Sequence, residues 1–257
     1  MFTIAADTLN LSVMWVMLMS LRLLGCFLTM PLYSFRAVPL RWRVGLTLFL
    51  AITLAPVLQM QPPPSVIQAG YFSAFIELAI GMTAGWIMRV GFAAIDLLAE
   101  VLSVQTGLSF AATYNQDPNL ASGVTGEFLG MIALALAFSL NVHLIFLDVM
   151  LRSFETMPLG QWPSAWNVDG VLMLIQHAFS VGLLLSLPAI VVFFMFNLTQ
   201  AILARVSPQM NLFSVGFAIM VPVAFVVIAL IAPALPDMVE RALEVPMELV
   251  RGGLLVK

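Results

Sequence analysis

Charge is what this sequence has least of. Only 9% of its 257 residues are Asp, Glu, Lys or Arg, against 62% that are hydrophobic. Soluble domains carry about 25% charged residues. With a mean hydropathy of +1.06, the chain has too few polar side chains to cover a soluble globule, and an integral membrane protein is the class that remains. Cysteine is nearly absent: Cys26 stands alone, which excludes an intrachain disulfide and a cysteine-based metal cluster. Histidine occurs twice, at His143 and His177, in different apolar segments. There is no Gly-x-Ser-x-Gly elbow and no His-Glu-x-x-His pair. His143 and Asp148 lie about 140° apart around a helix, so they do not share a face. The residues point to no enzyme, no cofactor and no metal. A net charge of −3 and a pI near 5.3 carry no nucleic-acid or polybasic signature. Met1 to Ser12 has Asp7 and no Lys or Arg, so the basic start of a cleavable signal is missing and the first apolar segment is expected to be retained.

What is present is a series of long uncharged runs. No charge occurs from Val44 to Ile76, Phe128 to Leu147, Gly170 to Ala204 or Val206 to Pro236. A bilayer-crossing helix needs roughly 20 mostly apolar residues. The runs are continuous rather than alternating, which argues against a transmembrane barrel, and backbone amides in lipid must pair within their own segment. The expected class is an all-α membrane protein with helical segments over 9–33, 44–60, 70–104, 127–151, 171–204 and 211–235. Between them, Pro31 and Pro39 bracket a link bearing Arg36, with Arg41 and Arg43 just beyond it. Gln59 to Pro64 is an extended connector. Ser153 to Asp169 reads as a loop with interface aromatics Trp162 and Trp166. Arg205 to Gln209 reads as a tight turn, making 171–235 a helical hairpin. Arg36, Arg41, Arg43 and Arg205 fall on the same side if the N-terminus is outside, and the positive-inside rule favours that orientation; Arg241, Arg251 and Lys257 fit it poorly.

Several features sit awkwardly in a plain bundle. Glu77, Arg89, Asp96 and Glu100 all fall within 70–104, and charges inside spans usually face protein or water. Asp96 and Glu100, four residues apart, share a helix face; they read either as a cation or proton site or as a solvated helix end. Glu77 and Arg89 are expected to need partners. Pro188, Pro222 and Pro233 imply kinks. Gly81-Met-Thr-Ala-Gly85 is a small-xxx-small motif that admits a second helix at close range. Seventeen methionines suit adaptable packing or ordinary core filling. Asp237 to Val250 reads as an amphipathic interfacial helix interrupted by Pro246, or as a docking tail.

The segment "QTGLSFAATYNQDPN", Gln105 to Asn119, is too apolar for a plain connection. Gly107-Leu108-Ser109-Phe110-Ala111, then Asp117-Pro118 and the helix opening at Gly126, resembles the FliR family. So do Ala137 to Leu144, Ser153-Phe154 with Met157-Pro-Leu-Gly160, and Arg205 to Phe213 with Val215-Gly-Phe217. The likeness runs nearly the full chain and favours the flagellar over the injectisome branch. Two departures are visible. Val142 stands where the family commonly has Gly in Asn-Gly-His, and Ala218 where it commonly has Pro in Gly-Phe-Pro; both put close helix packing in doubt.

The resemblance implies a structural subunit of the flagellar type III export gate, in the bacterial inner membrane within the basal body. Residues 1–257 would form one FliR-like domain, with 1–165 like FliP and 166–257 like the FliQ hairpin. Its implied partners are FliP-like and FliQ-like gate subunits, FlhB-like and FlhA-like export components, unfolded flagellar substrates and membrane lipid, with no nucleic acid. The loop 106–122 would help to plug the pore. Gly107 would supply the turn, and Leu108 and Phe110 the apolar seal, with Ser109 and Ala111 also in the plug. Tyr114, Asn115, Gln116 and Asp117 would close the loop, with Pro118 restricting Asp117. Glu77, Arg89, Asp96, Glu100 and Arg205 would make intramembrane or inter-subunit polar contacts. The alternatives are an injectisome gate subunit, or a secondary transporter using the charges of 70–104; no inverted repeat supports the latter.

Overall fold

In the computed structural model the described residues are 2–32, 39–58, 71–107, 123–161, 168–206 and 212–251. Among them every regular element is helical: α1 (Phe2–Thr29), α2 (Leu40–Leu58), α3 (Tyr71–Thr106), α4 (Gly123–Ser139), α5 (Val142–Thr156), α6 (Val168–Val206), α7 (Leu212–Ile231), a 3₁₀ turn (Ala232–Ala234) and α8 (Leu235–Arg251). The all-α membrane class therefore holds. The reason is physical: with so few polar side chains, only a backbone that pairs with itself leaves no amide unsatisfied in lipid. Among the described residues two helices, Val168–Val206 and Ile219–Val250, are long and apolar enough to cross a membrane; a third span is added if the pair broken near Asn141 counts as one.

The chain divides into two compact units. One comprises Met1–Val90, Asn141–Leu174 and Pro246–Lys257; the other comprises Gly91–Leu140 and Ile175–Val245. In the first unit, α1, α2 and the end of α5 share a core of Trp15, Leu18, Met19, Ala51, Phe154 and Leu159. There α1 and α3 cross at very short range. A Cβ at Gly81 would run into the Arg22 carbonyl, and one at Gly85 into the Thr29 hydroxyl. Thr29 Oγ1 also donates to the Met82 carbonyl, 3.1 Å away on α3. The small-xxx-small motif thus does what its spacing foretells.

The second unit is knit from apolar side chains of α3, α4, α6, α7 and α8, among them Leu98, Leu102, Leu129, Phe193, Ala224 and Leu235. α6 and α7 belong to one core, as a hairpin requires; their connection at 207–211 lies outside the described residues.

Three expectations need correction. The segment 127–151 is not one helix. It breaks at Leu140–Asn141, where Asn141 takes a left-handed backbone (φ 57°) and its carbonyl accepts from the amides of Leu144 and Ile145. Asn tolerates that conformation better than most residues. Val142 is then the first residue of α5 and is buried, so the position where glycine is common has room for a side chain. Ser153 does not open a loop; it lies inside α5. Nor does Pro246 interrupt α8, which runs through it with Val239, Ala242, Leu243 and Val250 buried against the rest of the chain. Pro188 and Pro222 likewise lie inside continuous helices, while Pro233 sits in the 3₁₀ turn before α8.

Candidate functional site

At the α1–α3 crossing, Arg22 and Glu77 are both completely buried and form an ion pair, with Arg22 Nε donating to Glu77 Oε2 at 2.6 Å. An isolated pair of charges in an apolar core is costly, because desolvation of each can exceed their attraction unless further hydrogen bonds satisfy both. Here they are supplied by the end of α5. One terminal guanidinium nitrogen of Arg22 donates to the Ser153 carbonyl (3.0 Å) and Ser153 Oγ (3.2 Å). The other donates to the Met157 carbonyl at 3.1 Å. The guanidinium also stacks 4.4 Å from the centroid of the Phe154 ring. On the far side, the amide of Gly160 donates to Glu77 Oε1 at 2.8 Å.

Local sequence explains why that segment fits. The last carbonyls of a helix lack amide partners and carry partial negative charge, which favours a cation. α5 ends at Thr156, and Pro158 cannot donate to extend it. Gly160 then adopts a left-handed backbone (φ 75°), which glycine enters without a Cβ clash, and turns its amide to Glu77. The arrangement ties three stretches of chain together.

The other charges expected within spans are elsewhere. Arg89, Asp96 and Glu100 are exposed on α3, and Arg205 is exposed at the end of α6. At 1.5 Å per residue, Arg89 and Glu100 lie roughly 18 and 34 Å along the helix from Glu77. Asp96 and Glu100 remain one turn apart on α3, as their spacing implies.

His177 packs half-buried on α6 with Nε2 2.9 Å from the Arg241 carbonyl on α8. Asp148 forms an exposed pair with Arg152, 3.0 Å apart on α5. Among the described residues no group of His, Cys, Asp and Glu could hold a metal ion.

Of the loop 106–122, Thr106 and Gly107 are described. Thr106 is buried and its hydroxyl bonds back to the Leu102 carbonyl at 2.8 Å. Gly107 has φ 74° and its amide reaches the Val104 carbonyl, closing the last turn of α3. This is the left-handed stop that glycine supplies at helix C-termini. Leu108, Ser109, Phe110, Ala111, Tyr114, Asn115, Gln116, Asp117 and Pro118 lie outside the described residues.

Residues 13–245 match the model of the family described as bacterial export proteins, family 1. The chain belongs to this FliR family. Curated members similar to it include the flagellar biosynthetic protein FliR of Pectobacterium carotovorum subsp. carotovorum, 30% identical over 231 residues, which covers 86% of this chain and 85% of that one. FliR of Escherichia coli strain K12 is 30% identical over 224 residues, with the same coverage. FliR of Bacillus subtilis strain 168 is 25% identical over 242 residues, covering 93% of each.

The FliR-like block Ser153-Phe154 and Met157-Pro-Leu-Gly160 is the segment that closes around Arg22 and Glu77. Arg22 itself was not singled out by sequence reasoning. A signal for it exists: it is the only charge between Asp7 and Arg36, inside an otherwise apolar run, and such a residue calls for a partner.

Proposed function

We propose that this FliR-family chain is a structural, channel-forming subunit of the flagellar export gate in the bacterial inner membrane, passing unfolded flagellar proteins. Family membership over residues 13–245 carries the reading, and the similarity to flagellar biosynthetic proteins supports the flagellar branch. In this reading the chain meets FliP-like subunits through 1–165 and FliQ-like subunits through 166–257, with FlhB-like and FlhA-like components alongside. The exposed charges Arg89, Asp96, Glu100 and Arg205 are polar contacts to those neighbours, since charge left against lipid is costly. The apolar faces of α6, with Leu172, Phe179, Leu184, Phe194 and Ile202 outward, lie against protein or lipid.

Residues 106–122 help to close the pore. The support is the stop at Gly107, where α3 ends by a left-handed turn and releases an unusually apolar loop. Deleting residues 108–116 tests this directly. The inner membrane of the deletion strain is expected to leak ions and small solutes while the complex still assembles. Normal permeability with an intact complex removes the plug role. Copurification of two small, very apolar helical proteins with a tagged chain tests the gate assignment; their absence removes it.

A further inference from the structure

α2 touches the rest of its unit through a narrow stripe. Thr47 and Ala51 are buried and Leu54 and Ala55 half-buried, facing the core built around Trp15, Leu18 and Met19. Arg43 and Leu50 are half-buried beside that stripe, while Trp42, Val44, Leu46, Leu48, Phe49 and Ile52 are all exposed, Trp42 at 70% and Phe49 at 63%. At 100° per residue, the exposed positions cover an arc of roughly 200°.

Charge is confined to one end of that arc. Arg41 is exposed and Arg43 half-buried on either side of Trp42, and from Val44 to Leu58 there is no charged residue. The charge-free part is 15 residues, roughly 22 Å of helix, which reaches across most of a hydrocarbon core.

A continuous apolar arc wider than half the circumference suits a fluid apolar solvent. A Trp at the boundary between an apolar rod and a cationic end is the pattern of a membrane–water interface, where the indole sits at headgroup level and arginine meets anionic lipid. We propose that α2 is a lipid-facing helix whose Arg41–Trp42 end holds the headgroup of an anionic phospholipid. The phosphate pairs with the Arg41 guanidinium in the manner of any arginine–phosphate contact, and the acyl chains run along Leu48, Phe49 and Ile52. α2 is not one of the two helices that meet the crossing length and hydropathy by themselves, so its membrane contact rests on this face and its charged end.

Two measurements on the full chain test the proposal. First, p-benzoylphenylalanine placed at position 49 is photolysed in living cells and the adduct identified by mass. A phospholipid adduct is expected; a protein adduct, or none, overturns the lipid-facing assignment. Second, the assembly extracted from its own membrane is placed in nanodiscs of phosphatidylcholine with or without phosphatidylglycerol, and retained lipid is counted by native mass spectrometry. Arg41→Gln is expected to cut phosphatidylglycerol retention about fivefold, the effect of one interfacial arginine, while Arg41→Lys keeps most of it. Equal retention by wild type and Arg41→Gln overturns the headgroup site. Arg41 is exposed, so neither variant disturbs the core, and the outcome does not depend on whether the chain is an export-gate subunit.

Discussion

The two compact units bury their polar groups in opposite ways. In the second, the buried hydroxyls bond locally: Ser186 to the Gly182 carbonyl and Thr106 to the Leu102 carbonyl, each four residues back on its own helix. Such bonds satisfy a group but say nothing about which helix lies next to it. Apart from the half-buried contact of His177 with the Arg241 carbonyl, what joins the helices there is apolar packing, from Leu98 on α3 to Phe193 on α6 and Val227 on α7. In the first unit, Arg22 reaches Glu77 at a separation of 55 residues and Ser153 at 131, and Glu77 reaches Gly160 at 83. Directional bonds between distant segments select one arrangement where apolar contacts tolerate several. In an environment as apolar as the helices themselves, that selectivity matters more than in water, because hydrophobic burial no longer distinguishes right from wrong neighbours.

The comparison breaks most visibly at the ion pair. Glu77→Ala leaves Arg22 charged, buried and short of its partner, and should cost about 3–5 kcal/mol. The fraction of detergent-extracted chain surviving a heating series measures it. The double change Arg22→Met with Glu77→Leu should recover part of that loss, since no lone charge remains. Full recovery is not expected, because the carbonyls of Ser153 and Met157 and the amide of Gly160 would lose their buried partners. A double variant as stable as wild type in the same heating series would mean the pair contributes nothing to specificity.

Gly160→Ala is expected to cost about 1–2 kcal/mol, from the left-handed backbone alone. The loss should nearly vanish in a Glu77→Ala background if the strained turn matters chiefly for presenting its amide, which a double-mutant cycle reads. On the other side of the comparison, Leu98→Met in the second unit keeps volume and apolar character and should cost less than about 1.5 kcal/mol, read as a small shift in heating midpoint. Smallest of all, Asp148→Asn on the exposed i, i+4 pair with Arg152 should change stability by about 0.3–0.5 kcal/mol. An effect of several kcal/mol there would mean the surface of α5 is covered in the assembled protein.

Glu77 was legible as a residue in need of a partner, but the partner was not. Arg22 lies in a different segment, and nothing in either local sequence says that the two turns meet. Arg89, about three turns from Glu77, carried the same sequence signal and is exposed instead. A charge in an apolar helix announces a cost, not its remedy. The end of α5 was misread for a related reason: Ser153 and Pro158 are ordinary loop residues by composition, whereas in the structure the carbonyls of Ser153 and Met157 at this helix end are held by Arg22. By contrast, the Gly81–Gly85 motif and the turn at Gly107 were readable, because a missing Cβ has a direct steric meaning at those positions.

By itself the sequence determined the helical class, most of the helix positions and the place on α3, Gly81 to Gly85, where some helix can approach closely. These follow from local rules: a backbone in an apolar medium must pair with itself, and helix ends fall where Pro, Gly or charge prevents continuation. Only the tertiary structure decided which buried charge meets which, where Asn141 splits one apolar run into two helices, and that α8 lays its apolar face on its own chain. Those outcomes depend on side chains brought together across 55 to 131 residues, and no local rule encodes the crossing that sets them face to face.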